Sequence, residues 1–175
     1  MTKALLAAVL VSLVVVAAGC GKSKPKSATD WANGVCSAVS TWTTSLADAA
    51  DSLKNGNVTK DSIQSAADDA QDATKTLRSD LKKLGKPNTQ SGSEAQDTVN
   101  QLSDQISSGV STIEDTVKSV SSVSGALSAV TTVSSTLTTM NNEVTAAYQK
   151  LSSLDPGGEL QQAFQQAPDC ASFRS

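Results

Sequence analysis

Three cysteines and one group of aspartates are the residues whose types promise chemistry. Cys20, Cys36 and Cys170 carry thiols, which pair or accept modification. Histidine is absent from all 175 residues. That removes Ser-His-Asp and Cys-His nucleophile systems and the zinc sites that use imidazole. No Cys-x-x-Cys pair, P-loop or Rossmann glycine pattern occurs. Ser-Lys or carboxylate chemistry stays formally open, but no spacing singles out a pair. The chain is therefore read as non-enzymatic, with no catalytic residue, no metal ligands and no cofactor. The densest acidic group is Asp61, Asp68, Asp69 and Asp72. Helical spacing puts Asp61, Asp68 and Asp72 on an outer face, opposite Ala70. A weak cation site is one reading. A solvated face with Lys75 nearby is the plainer and preferred one. Trp31 and Trp42 are three helical turns apart and share a face. Core packing is preferred for them over an aromatic ligand platform.

Cys20 closes the stretch Ala17-Ala18-Gly19-Cys20, which follows the apolar run from Ala4 to Val16. The run is short for a bilayer span, which needs ~20 apolar residues. With Lys3 before it and small residues after it, the layout is that of a signal peptide. The stretch resembles the lipobox of bacterial lipoprotein precursors. The resemblance implies that residues 1–19 are removed and that Cys20 becomes a diacylglyceryl-bearing first residue. It also implies a protein anchored to the cell membrane by lipid and facing away from the cytoplasm. Residues 20–27 (Cys20-Gly21-Lys22-Ser23-Lys24-Pro25-Lys26-Ser27) read as a flexible basic tether. With Cys20 taken, Cys36 and Cys170 remain as a pair in a compartment where disulfides persist.

The rest of the chain, residues 28–175, has the size of one domain. It holds 17 acidic residues against 10 basic ones, a formal charge of −7. An acidic body speaks against nucleic-acid binding, which needs a basic face. Aromatic residues make up only 3% of the sequence. The core must therefore be built from Val, Leu, Ile and Ala.

Apolar residues recur at helical spacing throughout. Trp31, Val35, Val39, Trp42, Leu46, Ala49 and Leu53 define a helix over about 30–54, capped by Thr29 or Asp30 and ended by Asn55-Gly56. Cys36 falls at the edge of its apolar stripe. Thr59 caps a second helix with the inner stripe Ile63, Ala66, Ala67, Ala70, Thr74, Leu77, Leu81 and Leu84, stopped by Gly85 and Pro87. Asn57-Val58-Thr59 also matches a glycosylation sequon, but capping explains Thr59 better. A capping box from Ser91 to Glu94, or Ser93 to Gln96, opens the third helical stretch.

Residues 93–154 are either one long helix or two. The first half uses the lines Val99-Ile106-Ile113-Val120 and Val110-Val117. The second uses Val130-Leu137-Val144-Leu151 and Ala126-Val133-Met140-Ala147-Leu154. The apolar seam shifts near Gly125, which predicts a turn there and helices over about 93–122 and 126–154. Asp155-Pro156-Gly157-Gly158 ends the last one. A short helix over 159–166 then presents Leu160, Ala163 and Phe164 on one face.

The expected fold is all-α: an up-down-up-down four-helix bundle after an N-terminal signal peptide, with a short C-terminal helix and tail docked on it. A turn near Gly125 places Cys170 at the same end as Cys36, within reach of a disulfide. The run Trp31-Ala32-Asn33-Gly34-Val35-Cys36 and the late Asp169-Cys170 resemble small lipoproteins of high-G+C Gram-positive bacteria, a group that implies no particular activity. The sequence thus points to a lipid-anchored binding, interaction or structural module of the cell envelope. The alternative is a carrier or binder of a small apolar ligand between the helices. The membrane, through lipid on Cys20, is the one partner it implies.

Overall fold

In a computed structural model, residues 26–55 and 59–174 are described. The lipobox, Cys20, most of the tether and the Gly56-Asn57-Val58 link lie outside them. Four long helices follow one another: α1 (Ala28–Asn55), α2 (Lys60–Leu84), α3 (Gly92–Lys118) and α4 (Val123–Ser153). A short helix α5 (Glu159–Gln166) and a 3-10 turn (Pro168–Phe173) complete the chain. Among the described residues there is no strand. No helix among them is long and apolar enough to cross a membrane. The architecture is the expected up-down-up-down bundle. α1 packs on α2, α2 on α3 and α3 on α4.

The ends of the helices follow local chemistry. α1 is capped by Ser27, not by Thr29 or Asp30: the Ser27 hydroxyl oxygen accepts from the Asp30 N–H at 3.1 Å. Thr59 caps α2 as expected, and Ser62 answers it in a reciprocal capping box. Gly85 stops α2 at φ 63°, a backbone conformation that costs a residue with a Cβ. The capping box expected at α3 is not made. Ser91 is the N-cap without a side-chain bond to the helix. Its hydroxyl instead donates to the Leu154 carbonyl at 3.5 Å, tying the start of α3 to the end of α4.

The long third stretch breaks, but earlier than expected. The turn occupies residues 119–122, and Gly125 lies inside the first turn of α4. The serine run explains the shift. Ser122 takes an extended conformation, and its hydroxyl accepts from the Gly125 N–H at 3.1 Å. A serine N-cap starts a helix well, and a glycine so close to a helix start disturbs little.

The apolar stripes pack inward. Trp31, Val35, Val39 and Trp42 of α1 meet Leu77 and Leu81 of α2, Val99 to Val117 of α3, and Met140, Val144 and Leu151 of α4 in one core. Both tryptophans are core residues. The Trp31 indole N–H donates to the Gly85 carbonyl at 2.8 Å, and that of Trp42 to the Thr74 hydroxyl at 3.0 Å. Gly109 permits a close approach of α3 and α4, because a Cβ there would come within 2.7 Å of the Met140 sulfur. The exception to the inward pattern is Val130, expected on the inner seam of α4 but 57% exposed.

Candidate functional site

The bundle has one end where α1 starts and one end far from it. At the first end the starts of α1 and α3 meet the ends of α2 and α4, and the C-terminal segment docks there. α5 packs against both α1 and α4. Its apolar face is the expected one, with Leu160, Ala163 and Phe164 all buried. Phe164 stands edge-on to Trp31 of α1, with centroids 6.1 Å apart, and edge-on to Tyr148 of α4 at 5.6 Å. A phenyl ring held between two helices spaces them. α1 and α4 accordingly make far less backbone contact than the other neighbouring pairs.

Behind α5 the tail is fastened. The sulfurs of Cys36 and Cys170 are 2.01 Å apart, with a Cα separation of 5.1 Å. Both residues are buried, Cys36 more deeply than the edge position read from its helical spacing. Asn33 adds a polar clip. Its amide nitrogen donates to the Asp169 carboxylate at 2.9 Å, and its amide oxygen accepts from the Asp169 N–H at 3.0 Å. The Arg174 guanidinium donates to the carbonyls of Gln165 and Ala167.

At the far end the seam opens into an apolar chamber of about 360 Å³. All four long helices line it: Leu46, Ala49 and Ala50 from α1, Ile63, Ala66, Ala67 and Ala70 from α2, Ile113 and Val117 from α3, and residues 129–137 of α4. Among the described residues no charged side chain lines it, and Ser134 is the one hydroxylic residue in its wall. The small side chains make the space. Where α1 and α2 carry alanines, four helices held apart cannot fill the middle. Val130 lines this chamber while facing solvent, which explains its exposure: it stands at the mouth. A volume of this size falls within the range that takes small organic ligands.

Nearer the start of α1 the same seam forms a mixed groove of about 960 Å³. Hydroxyls and amides of α1 and α4 alternate in its walls with Ala47, Val144, Tyr148 and Phe173, and α5 and the tail close one end. Tyr148 and Phe173 stack there, with centroids 5.8 Å apart and an interplanar angle of 29°. Burial pushes the Tyr148 phenol pKa up, and the nearby Arg174 charge partly opposes that.

The aspartate group of α2 stays on the outside. Asp61, Asp68, Asp69 and Asp72 are exposed. Asp72 pairs with Lys75 at 3.0 Å, and Asp68 accepts from the Gln64 amide at 3.0 Å. No group of three or more Cys, Asp or Glu side chains among the described residues is placed to hold a metal ion. Setting Cys20 aside, together with the expected turn, pointed to the cysteine pair, and periodicity pointed to the faces of the helices. It did not reveal the chamber, whose one advance signal was the run of alanines facing inward on α2. No family model matches the chain, and neither a curated protein nor a solved structure does.

Proposed function

We propose that this chain is a lipid-anchored, non-enzymatic binding module of the cell envelope that holds a small apolar ligand between its helices. The observation that carries this reading is the uncharged chamber of about 360 Å³ at the bundle end opposite the tether. An apolar void forfeits dispersion contacts along its walls, and an apolar guest restores them while leaving water. The lipobox-like stretch before Cys20 supports the anchor. A ligand site at the far end then faces away from the membrane, where it can exchange cargo with a partner or another surface.

Two tests address the two halves of this reading. Cys20→Ala is expected to abolish lipid attachment and to leave residues 1–19 uncut, read by intact mass and by radiolabelled acyl chains. A wild-type chain that retains residues 1–19 would remove the anchor from the proposal. For the ligand, the full chain in lipid nanodiscs is loaded with 1-decanol and analysed by native mass spectrometry. Ala66→Phe places a ring in the chamber from a half-buried position and is expected to lower decanol loading by about tenfold or more. Equal loading of wild type and variant would contradict the chamber as the site.

A further inference from the structure

The seam between α1 and α4 changes its chemistry halfway along. On α1, Leu46 and Ala50 line the apolar chamber, whereas Ala47, Thr44 and Thr43 line the groove of mixed polarity. On α4, Leu137 lines the chamber, and Asn141, one turn further on, lines the groove. One helical turn is about 5.4 Å, so the two spaces adjoin on both walls.

We propose that they are the two halves of one site, and that the ligand is an amphiphile with a single hydrocarbon chain and an uncharged, hydroxyl-rich head of the glycoside class. This rests on the reading of the chamber as an apolar-ligand site and adds the identity of the head. Three observations select that head. First, among the described residues no carboxylate lines the groove, and its one charged side chain, Arg174, has both terminal guanidinium nitrogens on the carbonyls of Gln165 and Ala167. A cationic head finds no counter-ion there, and an anionic head meets one guanidinium whose terminal nitrogens already donate to the tail. Second, the groove supplies hydrogen-bonding partners of both kinds. The hydroxyls of Thr43, Thr44 and Thr145 donate to carbonyls one turn back in their own helices, which leaves their oxygen lone pairs as acceptors. Asn141 and Gln149 bring amides that donate as well as accept. Third, the stacked Tyr148 and Phe173 give the groove an aromatic wall, the surface on which the C–H face of a sugar ring packs while its hydroxyls point sideways.

The test uses the full chain in nanodiscs with two probes, decyl glucoside and 1-decanol, each bearing a diazirine at the end of its chain. Photolabelling is titrated for wild type, for Asn141→Ala/Gln149→Ala and for Ala66→Phe, with labelled peptides mapped by mass spectrometry. Comparing proteins at the same probe cancels partition into the disc lipid. The wild type is expected to label on 46–50 and 129–137 with both probes. The double variant should weaken decyl glucoside labelling about tenfold, as for the loss of two hydrogen bonds, and leave decanol labelling unchanged. Ala66→Phe should suppress both. If the double variant treats the glucoside as wild type does, while Ala66→Phe still suppresses both probes, the head assignment is overturned and the chamber stands. If Ala66→Phe changes neither probe, the chamber reading falls, and the amphiphile with it. Circular dichroism of the same variants, each altered at a half-buried or exposed position, confirms that they fold.

Discussion

Removing the Cys36–Cys170 bond is expected to cost the folded domain roughly 4–5 kcal/mol. The bond spans 134 residues of sequence, and a cross-link that closes so long a loop strongly restricts the unfolded chain in the chain-entropy model. The folded side supports the estimate. The Cα atoms are 5.1 Å apart, inside the usual range, and both residues sit in the core. The double variant Cys36→Ala/Cys170→Ala is the suitable test, because it leaves no lone thiol and no buried hydroxyl. For a domain of this size, such a loss lowers the melting temperature by about 10–20 °C. Thermal unfolding followed by circular dichroism, with and without reductant, measures it. Reductant should shift the wild type and leave the double variant unmoved. A wild type that melts alike in both conditions would mean that the bond contributes nothing.

The second large effect belongs to Phe164. Its side chain is fully buried and touches both Trp31 and Tyr148 edge-on. Phe164→Ala removes the ring and leaves a cavity, a change that costs about 3–5 kcal/mol in well-packed cores. Aromatic residues are scarce in this chain, so the ring carries a large share of the core volume at this end. Phe164→Leu keeps most of the volume and should cost much less. Urea denaturation of both variants, with the cysteine bond intact, separates the two. A loss below about 1 kcal/mol for the alanine variant would show that the ring is dispensable as a spacer.

Most of the fold was legible because helical bundles are written in periodic residues. The lines Val99-Ile106-Ile113 and Met140-Ala147 are buried where their spacing put them. The shift of seam between α3 and α4 announced a turn. Its position was misjudged because glycine was weighted as a breaker, while Ser122 as a cap decides where α4 begins. Val130 was misplaced for a different reason. Heptad spacing tells which residues share a face, not whether a partner covers that face along its whole length. At Val130 the facing residues of α1 and α2 include the short side chains Ala49, Ala50, Ala66, Ala67 and Ala70, which leave the face open. The candidate site is therefore a product of all four long helices, and none carries its signature alone. The cysteine pair was legible because the lipobox-like stretch gave Cys20 an expected role of its own, which left two thiols and a topology that joins them.

The bond between Cys36 and Cys170 makes a ring of nearly the whole domain, with only the first residues of α1 and the last few of the tail outside it. This sets what a single cut by a protease can do. A nick at the exposed serines of the 119–122 turn divides the backbone into a piece with α1 to α3 and a piece with α4, α5 and the tail. The two stay covalently joined through the sulfurs. The severed half is not shed, and on a gel without reductant the nicked protein still migrates as a single chain. Release requires a second event of a different kind, the arrival of a reductant.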